Sequence, residues 1–309
     1  MDKKSNSLSK IDVLLAVFCN VLFGSAGVAI KVAYSFLEIG ADAWTQILFA
    51  GIRFFISGFV VFGFTCLKEK KPPLFEKNNA WNVLSVALFY TFLQYIFYYV
   101  GLSNTSGAVA SLISSSSVFI AVILAHFVYS DDKLNLRKSL GVVLGFTGVV
   151  LSTLGNGSTE KVSWLGEGFV FLSAFCFVIG SMLNKRATKR NDSYTVSAYN
   201  LLFGGGLLTI VGLVGGGNIG TVNIQGVLAL AYLIGVSSVG FTIWSGLCKK
   251  YPIGKLSVYS FIIPVSGVAF SALFLSENIF KWQYLLALLL VSVSIIAVNY
   301  RSEKEEVEK

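Results

Sequence analysis

Charge is what this sequence has least of. Only 13% of its 309 residues are Asp, Glu, Lys or Arg, against 55% hydrophobic residues. That is too little charge to cover a soluble domain of this length. His126 is the one histidine. A lone imidazole cannot anchor a metal centre, nor supply the clustered His, Asp and Glu that a lipid-modifying membrane enzyme needs. The four cysteines, Cys19, Cys66, Cys176 and Cys248, lie within or at the ends of apolar blocks. They have neither zinc-ligand spacing nor the look of a disulfide framework, and read as small buried hydrophobes. There is no Walker motif, so this chain does not hydrolyse ATP. The loops are mostly about 5–13 residues long and leave no room for a soluble catalytic domain. Neither an enzyme nor a cofactor is expected.

What is present is a succession of apolar blocks near bilayer length, since about 20 apolar residues cross a hydrocarbon core roughly 30 Å thick. Ten spans are expected, at 11–34, 44–67, 80–101, 106–129, 138–154, 164–184, 194–215, 225–247, 255–275 and 282–299. The first is too long for a signal-peptide core and lacks a clear small-residue cleavage site, so it reads as a retained helix. The positive charges set the orientation. Of the 24 Lys and Arg, all but Lys31, Arg53, Lys161 and Lys281 fall on one side if the chain crosses ten times. By the positive-inside rule that side, with both termini, is cytoplasmic. The net charge of +8 is therefore a topology signal and not a nucleic-acid footprint. The residues 300–309 form a charged tail. The expected fold is all-α and integral to the plasma or inner membrane.

An internal repeat follows the same order. Gly107 aligns on Gly254, Ala110 on Ser257 and Ser117 on Pro264, and Asp131–Asn135 lies against Ser276–Phe280 after a short slip. Upstream, Val21–Lys31 resembles Phe175–Lys185. Residues 11–154 and 164–299 thus form two units of five spans. An odd number forces the second unit to enter from the opposite side, giving an inverted repeat with a binding site near the midplane between the halves.

These residues carry a resemblance. "FGSAGVAIK" (Phe23–Lys31), a membrane arginine at Arg53, "NTSGAVASLI" (Asn104–Ile113), "DKLNLRKSLGVVLGFTGVVL" (Asp132–Leu151), "GEGFVFLSAF" (Gly166–Phe175) and "FIIPVSGVAFSALFLSEN" (Phe261–Asn278) are similar to EamA-type drug/metabolite transporters. The resemblance implies a central cavity between helices 1–4 and 6–9, with helices 5 and 10 at the periphery. The chain departs from the family at Ser117, where proline is usual, and at Phe23, where tryptophan often precedes the glycine. Its first acidic pair, Asp131 and Asp132, is displaced by two residues.

The polar groups inside the spans supply the candidate site. Arg53 sits in "ILFAGIRFFISGF", where a guanidinium costs about 2.5–3.5 kcal/mol on the lenient insertion scale. No predicted span carries a mid-span carboxylate to pair with it. Either it lines the cavity and takes a carboxylate or phosphate in bidentate fashion, or it bonds carbonyls at helix ends or reaches Glu38 or Glu277. Gln94 and Tyr98 share one face of helix 3 with Tyr90 and Phe97, whereas Tyr99 reads as part of the outer aromatic belt. A buried amide such as Gln94 needs partners. Trp244 mirrors Phe97 in helix 8, and most of these rings suit core packing as well as a pocket. Helix 4 carries Ser111 and the four consecutive serines Ser114–Ser117; of those four at most two face one cavity, and each serine can instead bond the carbonyl four residues back. The substrate-binding candidates are Arg53, Gln94, Tyr98, Ser114, Trp244 and Tyr259. The gating candidates are Lys31, which can also snorkel to the interface, and Pro264, which should kink helix 9.

The expected function is a secondary transporter that moves a small organic metabolite, such as an amino acid for export, by alternating access. The rival cargo is a phosphorylated or nucleotide-linked sugar. A channel and a non-transporting membrane subunit are the rivals of a different class. The expected partners are the substrate and the lipid bilayer, with a homodimer left open and nucleic acid excluded.

Overall fold

The computed structural model describes residues 8–128, 134–154, 163–220, 222–251, 258–277 and 282–299. Asp131, Asp132, Lys161, Gly254, Lys281 and the tail 300–309 lie outside the described residues, so the parts of the sequence reading that rest on them have no structural counterpart here. Among the described residues all regular structure is helical: α1 Lys10–Phe36, α2 Ala43–Glu69, α3 Lys77–Ser103, α4 Gly107–Val128, α5 Leu136–Leu154, α6 Trp164–Ala187, α7 Ser193–Val214, α8 Ile224–Lys250, α9 Ile262–Leu275 and α10 Trp282–Asn299. Seven of them, α1 to α4, α6, α7 and the Ile224–Trp244 stretch of α8, are long and apolar enough to cross a membrane. The apolar helices Ile262–Leu275 and Trp282–Ala297 are shorter, and α5 opens on Leu136-Arg137-Lys138, which trims its apolar run.

Local chemistry explains where the helices start. Ser9, Asp42, Ser106, Ser163, Asp192 and Asn223 each stand at an N-cap and accept a bond from an early backbone N–H, which satisfies donors that the helix itself cannot. The Thr45 hydroxyl and amide beside Asp42 hold its carboxyl below the usual carboxylate range.

The helices arrange in two groups with two pairs around them. α1 packs on α8 and α9, and α3 and α4 pack on α6. α2 and α7 lie along one another and buttress α3 and α8, while α5 and α10 pair separately. One end of the bundle carries Lys31, Thr105 and Glu277, and the other carries Asp12 and the loops after α2 and α6. At that second end Asn79 donates to the Ala187 carbonyl at 2.8 Å and the Glu76 amide donates to Asn191 at 3.0 Å. The segments around Lys70 and Lys189 are therefore neighbours.

Two breaks divide otherwise continuous helices. In α4 the Ser114 and Ser115 hydroxyls donate to the carbonyls of Ala110 (2.7 Å) and Ser111 (3.1 Å), and the ladder slips to a Ser115–Leu112 bond. This is the serine back-bonding that bends helices. It separates Gly107–Ser114 from Ser116–Val128. In α3 the segment Ala87–Leu93 widens into a π-helical turn immediately before Gln94, a feature that frequently marks functional sites.

Candidate functional site

The two helix groups meet tightly at the Glu277 end. Small residues make the approach possible. A Cβ on Gly267 of α9 would lie 2.0 Å from the Ser111 hydroxyl of α4, across the two groups, and within one group a Cβ on Gly24 of α1 would lie 2.0 Å from the Ser266 hydroxyl of α9. Polar side chains then cross the seam. Lys31 of α1 donates to the Thr105 carbonyl at 2.5 Å. Glu277, just past α9, accepts from the backbone N–H groups of Gly107 (2.8 Å) and Ala108 (3.1 Å) at the start of α4, and from the Ser271 hydroxyl (2.6 Å). Thr105 donates to Glu167 of α6 at 2.7 Å, and Tyr284 of α10 shares a hydrogen bond with Ser106.

Towards the Asp12 end this seam parts. α9 packs on the Gly107–Ser114 half of α4, whereas the Ser116–Val128 half packs on α5 and α6. The polar contacts described there lie within one group. The Tyr251 hydroxyl, just past α8, donates to Asp12 of α1 at 2.7 Å, and Ser9 donates to the same carboxylate at 2.7 Å. Halfway along, one chain of rings still spans the groups. Phe23 meets Phe241 with centroids 5.9 Å apart, Phe241 meets Tyr90 at 6.2 Å, and Tyr90 stacks on Phe177 at 5.2 Å.

Arg53 is only 3% exposed. Its Nη1 donates to the Tyr99 hydroxyl at 2.8 Å, its Nη2 to the Ser237 hydroxyl at 2.9 Å, and its Nε lies 3.2 Å from that hydroxyl and 3.3 Å from the Leu233 carbonyl. The guanidinium also sits 4.8 Å from the Phe54 ring centroid. It therefore ties α3 to α8 and, in this conformation, faces protein and not an open cavity. Its partners are neither Glu38 nor Glu277. Tyr99 is fully buried, which corrects its assignment to the outer aromatic belt: its hydroxyl is the acceptor that α3 offers to Arg53.

The other sequence candidates separate. Gln94 is half-buried, and its Oε1 is sealed from solvent with no hydrogen-bond partner. Tyr98 lies one turn further, its hydroxyl against Gly27 of α1, where an added Cβ would come to 2.9 Å. Ser114 spends its hydroxyl on its own helix. Trp244 and Tyr259 gather with Leu8, Leu15 and Tyr251 around Ala16 and Leu247, towards the Asp12 end and away from Gln94. Lys31 bonds across the seam. Pro264 falls in the first turn of α9, after a 3-10 turn at Val258–Phe261. A missing amide proton costs little there, so the proline stands near the start of α9 and not at its middle.

Sequence reasoning missed Asp12, the π-turn, the ring chain, and the seat of Glu277 on α4. Only Asp12 carried a usable signal, because Ser9 followed by an acid three residues later before an apolar run is a helix-start pattern. The rest depends on which helices become neighbours.

Long apolar helices in two groups, joined at one end and parted towards the other, make this a multi-pass membrane protein with the build of a solute carrier. The model of the EamA-like transporter family matches residues 10–154 and again 164–300, and the chain belongs to that family. Among curated relatives, a protein of Escherichia coli (strain K12) named "Probable amino-acid metabolite efflux pump" is 25% identical over 95% of this chain and 98% of its own length. An "Uncharacterized transporter" of Archaeoglobus fulgidus is 28% identical over 87% of this chain and 91% of its own. A solved crystal structure superposes with a TM-score of 0.69 over 95% of this chain and 99% of its own, at 17% identity, a likeness of fold.

Proposed function

We propose that this chain is a ten-crossing secondary carrier of the plasma or inner membrane, with both termini cytoplasmic, that exports amino acids or close metabolites by alternating access. One observation carries the reading: the same two helix groups are clamped at the Glu277 end and parted in the Asp12 half. With the positive charge of the sequence placed inside, the Glu277 end is external and the conformation faces the cytoplasm. Pairing each helix with the one five places later exchanges the group α1, α8, α9 for α6, α3, α4. Rocking an inverted repeat about its midplane requires such an exchange.

Within that reading Gln94 and Tyr98 face the substrate. The Gln94 amide oxygen, sealed from solvent in this conformation, accepts an N–H of the cargo once the Phe23–Phe241–Tyr90–Phe177 chain, which lies between it and the parted half, moves aside. Arg53 acts as a strut and not as a ligand, Lys31 belongs to the external gate, and Trp244 and Tyr259 line the cytoplasmic approach. The name of the Escherichia coli relative supports an amino-acid cargo. Phosphorylated sugars are less well served, since Arg53 and Lys31 are both engaged by protein groups.

Purified chain in proteoliposomes preloaded with neutral amino acids tests the reading. Saturable counterflow of a labelled amino acid is expected, and Gln94→Leu should weaken its half-saturation by about five- to tenfold, the worth of one hydrogen bond. Flux that rises linearly with concentration would indicate a channel, and no flux would indicate a non-transporting subunit.

A further inference from the structure

Glu277 bonds backbone N–H groups across the seam between the two helix groups. The chain turns to place it there. Ser276, immediately before it, adopts φ 52°, a left-handed conformation that costs a non-glycine residue on the order of 1–2 kcal/mol and that persists where the surroundings over-determine it. Both carboxylate oxygens are used. Oε1 takes the Gly107 N–H, and Oε2 takes the Ala108 N–H and the Ser271 O–H. All three partners are donors, and the two amides lie at the positive end of α4, which favours an anion.

We propose that Glu277 is a charge-held latch for this end of the protein, and that a proton delivered from the water on that side releases it. An ionised carboxylate is a pure acceptor and fits the three donors, whereas the neutral acid carries an O–H of its own. A proton on Oε1 points at the Gly107 N–H. One on Oε2 displaces the Ala108 N–H and forces the Ser271 hydroxyl to turn around. A proton on the carboxylate therefore removes an acceptor that the clamp uses, and so favours opening. Among the described residues, Lys31, Tyr284 and Glu167 lie around Glu277. Lys31 of α1 and Tyr284 of α10 both lie within its field. Glu167 of α6 is held by Thr105 and by the Ser163 amide. Those bonds stay within the group formed by α3, α4 and α6, so its protonation does not cross the seam. α4 contributes backbone N–H groups and Ser106.

The latch deepens the carrier reading by giving its external gate a control, yet its test needs no substrate. Nitroxide labels on Leu165→Cys (α6) and Leu273→Cys (α9), both exposed, in a cysteine-free chain in nanodiscs report the opening by pulsed electron-spin distance measurement. A short distance should dominate at about pH 8, and a longer one should grow as pH falls through and below the ordinary glutamate range, to about 3. Glu277→Gln should show the longer distance at both pH values, Glu277→Asp should keep a pH response, and Glu167→Gln should leave it unchanged. Ser271→Ala keeps the carboxylate and removes one donor, and should move the opening midpoint up by about one pH unit. A wild-type distance that ignores pH, an intact pH response in Glu277→Gln, or an unmoved midpoint in Ser271→Ala would overturn the latch. None of these results depends on whether the liposomes show counterflow, so the latch and the carrier reading fail separately.

Discussion

At the scale of single residues, the membrane arginine is the most instructive case. A cation buried in apolar surroundings is affordable only where its donors are met, and Arg53 meets them with Tyr99, Ser237 and the Leu233 carbonyl. Deleting either side leaves the other unsatisfied, which makes the two deletions non-additive. Arg53→Met, Tyr99→Phe and the double variant, unfolded in detergent, should yield a coupling of about 1.5–3 kcal/mol, the range for a hydrogen bond to a charged group. A coupling near zero would mean that the contact does not hold α2 to α3. The presence of Arg53 was legible in the sequence and its partners were not. Tyr99 lies on a helix face that the apolar pattern assigned to the interface, and Ser237 sits 184 residues away. Nothing local marks either one.

At the scale of elements, the seam between α1, α4 and α9 depends on residues too small to separate backbones. Gly24 and Gly267 are in near contact with neighbouring helices, whereas an added Cβ on Gly235 of α8 would meet nothing within 4 Å. Gly267→Ala should therefore cost about 1–3 kcal/mol through overpacking. Gly235→Ala should be neutral or stabilise by up to about 1 kcal/mol, since it only restricts the unfolded chain. Thermal unfolding of the two variants in one detergent compares them directly, and equal melting shifts would contradict the seam. The sequence reading fared unevenly at this scale. Apolar block length located the helices well, because burial in lipid demands it. The breaks were harder to place. Proline was the obvious suspect, yet Pro264 sits harmlessly in a first turn, and the real interruption in α4 comes from serines bonding their own backbone. Both residue types were visible, but only the helix start at Ile262 decides which of them disrupts anything.

At the scale of the whole molecule, the central claim is that two five-helix units face opposite ways and share one cytoplasmic end. The structure places the segments of Lys70 and Lys189 side by side, held by the Asn79 and Glu76 bonds. It places Gly40 and Gly220 at the other end, next to the Asn218 contact with Thr45. The most direct measurement is sidedness, using a membrane-impermeant thiol reagent on single cysteines introduced into a cysteine-free chain. Lys70→Cys and Lys189→Cys should react only in inside-out vesicles, and Gly40→Cys and Gly220→Cys only in right-side-out ones. Labelling of Lys70→Cys and Lys189→Cys from opposite sides would contradict the shared end, and with it the carrier built upon it.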